Sequence, residues 1–271
     1  AQIVLLKPGT GYTTPPTVTL SGGGGSGATA VAVKNWVTMT APQADPTRDI
    51  HVTALLVDEH TLDEVQFDLT FSQQGRPFWV WGTGIKPGET TQDFAKDNYY
   101  FSFTRLAASG TITIAGTTHE VTGTTWMDHE YGYFGGSSAD ARVRWLLQDL
   151  QLDNGYSISN AGILTVGYKP EIDVPVDAYA TVQDAEGNLY YVASTITPVG
   201  ELWTSPATGN VYAQQFHVQI PSFQADLTVS VLVQNQEFPI AASPVYEGVA
   251  KPTGTMLGKP VTGDAWIEQA Y

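Results

Sequence analysis

Trp126, Asp128 and Glu130 are spaced by two at the end of an alternating stretch that begins at Val121. On a strand, side chains at i, i+2 and i+4 share a face, so the indole and both carboxyls lie together while Met127, His129 and Tyr131 point the other way. A rise of about 3.3 Å per residue puts the Cα atoms of Asp128 and Glu130 ~6–7 Å apart, close enough for one carboxylate to raise the proton affinity of the other. An indole beside them in a partly dry cavity acts in the same direction through desolvation. A carboxyl that keeps its proton near neutral pH is what a general acid requires. A regular strand turns His129 away from the acids, so a catalytic set of Asp128, His129 and Glu130 requires a bulge or a strand end there. Charged residues on strands otherwise occupy the solvated face, and that reading stands beside the catalytic one.

The phrase containing these residues occurs twice. Val121-Thr122-Gly123-Thr124-Thr125-Trp126-Met127-Asp128 returns 140 residues later as Val261-Thr262-Gly263-Asp264-Ala265-Trp266-Ile267-Glu268. Each copy follows a glycine-punctuated alternating stretch, which implies two versions of one building unit. Only the first continues into His129-Glu130, so chemistry is expected in one copy. The two acids of a glycosidase straddle a sugar across a cleft rather than sit two apart on one strand, which disfavours that reaction unless Glu268 is the distant partner of Asp128.

Aromatic residues supply the second ingredient. Phe78-Trp79-Val80-Trp81 alternates Trp79 and Trp81 onto one face, and Asn98-Tyr99-Tyr100-Phe101-Ser102-Phe103 places Tyr100 and Ser102 opposite Tyr99, Phe101 and Phe103. Most such rings fill barrel cores, while Trp126, Tyr131, Trp81 and Tyr100, with Ser102 and Glu268, are the candidates to bind a substrate. Ser102 has no partnered histidine at recognisable spacing, and Gly-x-Ser-x-Gly is absent, so serine-hydrolase chemistry has little support.

The elements that must position these groups are strands. Ala28–Val33, Glu64–Phe71, Thr111–Ile114, Arg142–Trp145 and Ala225–Val233 alternate with period two. Asp153-Asn154-Gly155, Ala185-Glu186-Gly187-Asn188 and Thr208-Gly209-Asn210 supply the turns. No stretch carries a capped 3.6-residue stripe, so the chain is expected to be all-β, built as barrels or sandwiches with little helix. A cut near Gly135-Gly136 gives two domains, 1–135 and 136–271, with residues 1–40 forming a Gly/Pro-rich atypical start. Gly22 to Gly27 lacks the lysine of a phosphate-binding loop, because Ala28-Thr29-Ala30 follows.

Composition excludes several classes. Twelve Lys and Arg against 27 Asp and Glu give 271 residues a formal charge of −15, which repels nucleic acid and anionic membranes. There is no cysteine, hence no disulfide, thiolate nucleophile or zinc-thiolate site. His51, His60, His119 and His217 show no metal-ligand spacing, so a metal is not indicated. No apolar run of about 18 residues offers an integral membrane segment. The sequence begins at Ala1 rather than Met, and a secreted or periplasmic product, processed or cut from a longer chain, is expected.

From Tyr100-Phe101-Ser102-Phe103-Thr104-Arg105-Leu106 through Val121-Thr122-Gly123 to Trp126-Met127-Asp128-His129-Glu130-Tyr131-Gly132, and again at Tyr246-Glu247-Gly248 and Gly263 to Tyr271, the chain resembles the AttH/CrtC-like group. That group takes in proteins labelled secreted hydrolases, carotenoid 1,2-hydratases and kievitone hydratase, and is similar to fungal Diels-Alderases. The resemblance implies two lipocalin-like β-barrel or sandwich domains related by the internal repeat, with a cavity near their junction. It also implies a cofactor-independent hydratase or hydro-lyase acting on a lipophilic isoprenoid- or polyketide-like substrate. Asp128 would protonate a double bond. Trp126, with Tyr131 or Trp81, would stabilise the cation, and His129 or Glu130 would deprotonate the attacking water. A pericyclase and a non-catalytic lipocalin-like carrier of a hydrophobic ligand are the alternatives.

Overall fold

Alternation becomes strand wherever the chain can bury one face, and the structure, a computed structural model, is all-β. It describes residues 17, 35–41, 49–58, 61–88, 96–133, 144–238 and 244–270. The expected strand at Ala28–Val33, the start of the one at Arg142–Trp145, the glycine run at Gly22 to Gly27 and the cut near Gly135-Gly136 lie outside the described residues. Six strands form the first sheet: β1 (Trp36–Thr40), β2 (Asp49–Val57), β3 (Glu64–Gln73), β4 (Phe78–Trp79), β5 (Asn98–Ile114) and β6 (Thr117–Gly132). They run in the order β1-β2-β3-β5-β4, with β6 also on β5. Ten more form the second sheet: β7 (Trp145–Leu152), β8 (Ser157–Ile163), β9 (Val176–Gln183), β10 (Leu189–Ala193), β11 (Thr195–Thr204), β12 (Val211–Ile220), β13 (Ala225–Val231), β14 (Glu237–Phe238), β15 (Val245–Met256) and β16 (Lys259–Ala270). Their order is β10-β9-β8-β7-β16-β15-β13-β12-β11, with β14 on β15. The described residues contain no α-helix, only short 3-10 turns at Val80–Gly82 and Pro221–Phe223. None of them belongs to a helix long and apolar enough to cross a membrane.

Contacts gather the chain into two units, one comprising residues up to Gln73 with Ala107–Thr125, the other Gln74–Leu106 with everything from Trp126 onward. In the first, the eieieieiii burial of β3 repeats the alternation of Glu64-Val65-Gln66-Phe67-Asp68-Leu69. In the second, Leu146, Leu150, Ile158, Val182, Phe216 and Leu227 project from the ten-stranded sheet into one core, each wholly buried. Burying one such side chain contributes about 1.5–3 kcal/mol relative to leaving it exposed. The expected turns at Gly155, Gly187 and Gly209 all take positive φ.

The repeat is visible in backbone chemistry. β5–β6 and β15–β16 are hairpins whose two turn residues, Ala115-Gly116 and Leu257-Gly258, both have positive φ, as a type I′ turn requires. Behind each turn stands a glycine with φ of +142° (Gly110) or +154° (Gly254), where a Cβ would fall 2.1 Å from the carbonyl oxygen of Asp68 or Asp226 respectively. Only glycine admits so close a backbone approach. Those two aspartates also accept a hydrogen bond or ion pair from His51 (2.8 Å) and His217 (2.9 Å).

β7 is buried on both sides, because one face looks into the core and the other is covered within the same unit by the segment from Gln74 to Leu106. Alternation puts Leu146, Gln148 and Leu150 on the core side and Leu147 and Asp149 on the covered side. The cover is fastened by Trp81 N–H donating to Thr181 Oγ1 (2.9 Å) and by Arg105 Nη2 donating to the carbonyls of Leu152 (2.7 Å) and Tyr156 (2.8 Å).

Candidate functional site

β6 delivers Trp126, Asp128 and Glu130 to one face, as its period requires, and β5 meets them with Asn98, Tyr100 and Ser102. Asp128 is the hub. Its Oδ1 accepts Trp126 Nε1–H at 2.7 Å and the Ser102 hydroxyl, and the Tyr100 hydroxyl also hydrogen-bonds to it. Glu130 Oε1 accepts from Asn98 Nδ2 at 2.8 Å. Burial first, with the charge of Asp128 a smaller cause, pushes the Glu130 carboxyl above its ordinary range, and Asn98 and Lys86 pull it back.

The dry surroundings that the sequence suggested for Asp128 belong to another residue. Asp128 is exposed, whereas Asp149 on β7 is 3 % exposed and meets Asp128 carboxyl to carboxyl. Register places Asp149 in a row across four strands, between Trp266 of β16 and Ser159 of β8, with Thr181 of β9 beyond. Burial, then the Asp128 charge, drives the Asp149 carboxyl well above the carboxylate range, and a hydrogen bond from Ser159 opposes this. Burial and the same acids raise the Tyr100 hydroxyl, which therefore stays neutral and able to donate.

Glu268 completes the cluster from the second copy of the repeated phrase. It lies opposite Glu247 in the β15–β16 ladder, and burial followed by the Glu247 charge pushes it up to about 7, with Asp128 and Glu130 adding to the shift. Trp145 Nε1–H donates to Glu268 Oε2 (3.0 Å) and Trp266 Nε1–H to Glu247 Oε2 (2.6 Å). Glu247 is also pushed up, by burial first. Three carboxyls thus each rest on an indole N–H: Asp128 on Trp126, Glu268 on Trp145 and Glu247 on Trp266. A neutral donor orients a carboxyl without the strong pKa depression that a guanidinium or ammonium would impose. Glu247 and Trp266, with Phe238 and Val245, line a hollow of about 340 Å³. Among the described residues, no group of three or more His, Asp or Glu is placed to hold a metal ion.

The remaining residues expected at the site separate from it. His129 stacks on Phe101 (ring centroids 5.1 Å apart) and Tyr131 on Tyr99 (5.5 Å), on the opposite face of β6 from Asp128. The His129 ring is thus turned toward Phe101 and Tyr131 and not toward the acids. Trp79 and Trp81 do not share a face as alternation suggested. β4 ends at Trp79, and Trp81 takes φ of +60° in the following 3-10 turn, so Trp79 meets Phe101 while Trp81 meets Tyr100 edge-on at 5.7 Å. Trp81 backs Tyr100 rather than touching a carboxyl. Phe78 packs edge-on against Trp126 at 5.6 Å.

Asp149, Glu247, Trp145 and Trp266 were not singled out from the sequence as site residues. Two signals were present: Asp149 is the one charged residue in the strand Trp145–Leu152, and counting outward from the Leu257-Gly258 turn puts Glu247 across from Glu268.

The model of a family described as AttH-like matches residues 19–270. A crystal structure of an AttH protein from Nitrosomonas europaea superposes with a TM-score of 0.62 at 22% identity, covering 80% of this chain and 64% of that one. This chain therefore spans less than two thirds of that protein's length. Kievitone hydratase from Nectria haematococca gives a TM-score of 0.64 at 18% identity, covering 89% of this chain and 70% of its own. At these identities the likeness is one of fold. No curated protein matches in a sequence search.

Proposed function

Because the chain belongs to the AttH-like family, whose model matches it almost from end to end, we propose that it is a hydratase- or hydro-lyase-type enzyme in which Asp128 protonates a double bond of a lipophilic, isoprenoid- or polyketide-like substrate. One observation carries this reading: an accessible carboxyl held by Trp126, Ser102 and Tyr100, with a fully buried second carboxyl behind it. Accessibility lets Asp128 reach a substrate. The neutral donors fix its direction, and the π face of Trp126, next to the acid, would stabilise the carbon that becomes positive, a contribution of about 2 kcal/mol when desolvated. Glu130 and Glu268, both with raised proton affinity, are the groups on this face that could take a proton from attacking water. The fold of kievitone hydratase supports the reading, and the aromatic surroundings and the apolar hollow beside Glu247 support a lipophilic substrate.

The test is incubation with a panel of trisubstituted isoprenoid alkenes in D2O. Deuterium should appear at the protonated carbon together with a new hydroxyl, and Asp128→Asn should reduce the rate by about 10²–10⁴-fold while leaving the fold intact. Undiminished turnover by Asp128→Asn overturns the role.

The hollow favours a second reading, a carrier. Phe238, Val245 and Trp266 offer it apolar wall with a single acid, which suits retention of a lipophilic ligand without chemistry. Retention of the same alkenes with no consumption would favour the carrier.

A further inference from the structure

We propose that Asp149 is a positioning residue that shares one proton with Asp128 and so keeps the donor loaded between turnovers, a role that rests on the reading of Asp128 as the acid. The geometry has three parts. Asp149 sits on the covered face of β7, 3 % exposed, in a row between Trp266 and Ser159. Its carboxyl meets that of Asp128, and two carboxyls form a hydrogen bond only if one of them carries a hydrogen. Among the described residues, its Oδ1 is buried without a hydrogen-bond partner, a costly arrangement for an anion and a tolerable one for a neutral acid. The groups acting on it are Asp128 from β6, Tyr100 from β5, Glu268 from β16 and Ser159 from β8, none of them a cation.

The proton inventory closes. The pair enters the cycle with one hydrogen between its two carboxyls. Asp128 transfers it to the alkene carbon, the π electrons of the double bond forming the new C–H bond, and the pair is left doubly negative beside the cation. Water adds to the cation and loses a proton to Glu130 or Glu268, from which it returns to the pair. The net change is addition of one water across the double bond. Buried and repelled by Asp128, Asp149 cannot remain charged for long, so reloading is strongly favoured.

Carboxyl-labelled aspartate in the full chain, followed by NMR as a function of pH, tests the sharing without any substrate. Asp128 is exposed and Asn keeps its shape, so Asp128→Asn should fold, which the dispersion of the same NMR spectra checks. The substitution removes the facing charge and offers an amide donor in its place, so Asp149 should lose at least about tenfold in proton affinity. The reciprocal variant, Asp149→Asn, keeps the shape of the protonated acid and should fold. With an alkene substrate, its pH–rate profile should lose its limb above neutrality, and Asp149→Glu should restore part of it. If Asp149 titrates alike in the native chain and in Asp128→Asn, its proton is held by burial alone and the sharing is refuted. That failure is separable from failure of the Asp128 reading, which shows as unchanged turnover in Asp128→Asn whatever the titration reveals.

Discussion

The two hairpins that carry the repeated phrase differ in one instructive way. Both have a type I′ turn, both have a glycine pressed on an aspartate carbonyl, and both place an acid two residues after a tryptophan. β6 ends accessible, so Asp128 collects three donors and stays exposed. β16 is hydrogen-bonded on both sides, by β15 and β7, so Glu268 is largely buried, faces Glu247 and is pushed up to about 7. The tryptophans diverge too: Trp126 holds the acid of its own copy, whereas Trp266 reaches across to Glu247 and leaves Glu268 to Trp145. The phrase therefore sets where an acid stands. What packs against it sets how that acid behaves.

The sharpest way to break this comparison is to remove the two acids separately. Asp128→Asn is expected to cost about 10²–10⁴-fold in turnover of an alkene substrate, and Glu268→Gln only about tenfold, because Glu268 is not the residue oriented by Ser102, Tyr100 and Trp126. Steady-state rates on one substrate measure both, and a larger loss from Glu268→Gln would reverse the assignment. The shared backbone device can be broken as well. Gly254→Ala drives a Cβ to 2.1 Å from the Asp226 carbonyl at a φ unsuited to alanine, and should cost more than about 3 kcal/mol in urea unfolding. Gly110→Ala should cost a similar amount by the same clash with Asp68. A tolerated alanine at one site only would show that the two hairpins are not equivalent.

How much of this the residue order foretold depends on how local the cause was. Alternation from Val121 to Tyr131 correctly separated Trp126, Asp128 and Glu130 from His129 and Tyr131, because a strand's period follows from backbone geometry alone. It also paired Tyr100 with Ser102. The same rule failed at Trp81, where Gly82 and Gly84 let the chain leave the strand, a departure that depends on packing against Thr181 a hundred residues away. Asp149 could not be assigned because its neighbours Asp128, Ser159 and Trp266 come from three other strands, and their order in the sheet is a long-range outcome. Nor could burial of Glu268 be separated from exposure of Asp128 when the two phrases look alike.

The acids of raised proton affinity give the comparison a pH signature. Glu268 titrates near 4.5 when unfolded and at about 7 in the fold, so the folded state binds its proton more tightly. The stability this confers is complete below about pH 4.5, falls as pH rises, and is gone above about 7, a loss approaching ~3 kcal/mol. Asp149, Glu247 and Glu130 act in the same sense. Glu237, held low by Ser205, Thr208 and Tyr212 despite partial burial, acts oppositely and only at more acidic pH. Urea titrations from pH 4.5 to 8 should show stability declining, and Glu268→Gln should flatten the decline. A curve unchanged by Glu268→Gln would place that carboxyl in ordinary solvent.

Trp145→Phe probes the indole itself and carries the smallest effect. The N–H of Trp145 stabilises the charged form of Glu268, so its removal should raise the proton affinity of Glu268 further, by about tenfold at most, and move the falling limb of stability toward alkaline pH. Trp126→Phe removes a donor from Asp128, but Ser102 and Tyr100 remain, so the orientation of that carboxyl should survive and turnover should drop less than in Asp128→Asn. Glu268 has one such indole and Asp128 has an indole plus two hydroxyls, which predicts that the same substitution perturbs titration in the second copy more than it perturbs geometry in the first. NMR titration of Glu268 in Trp145→Phe and the turnover of Trp126→Phe decide it. A Glu268 titration unmoved in Trp145→Phe would mean that depth of burial, rather than the indole, sets that carboxyl.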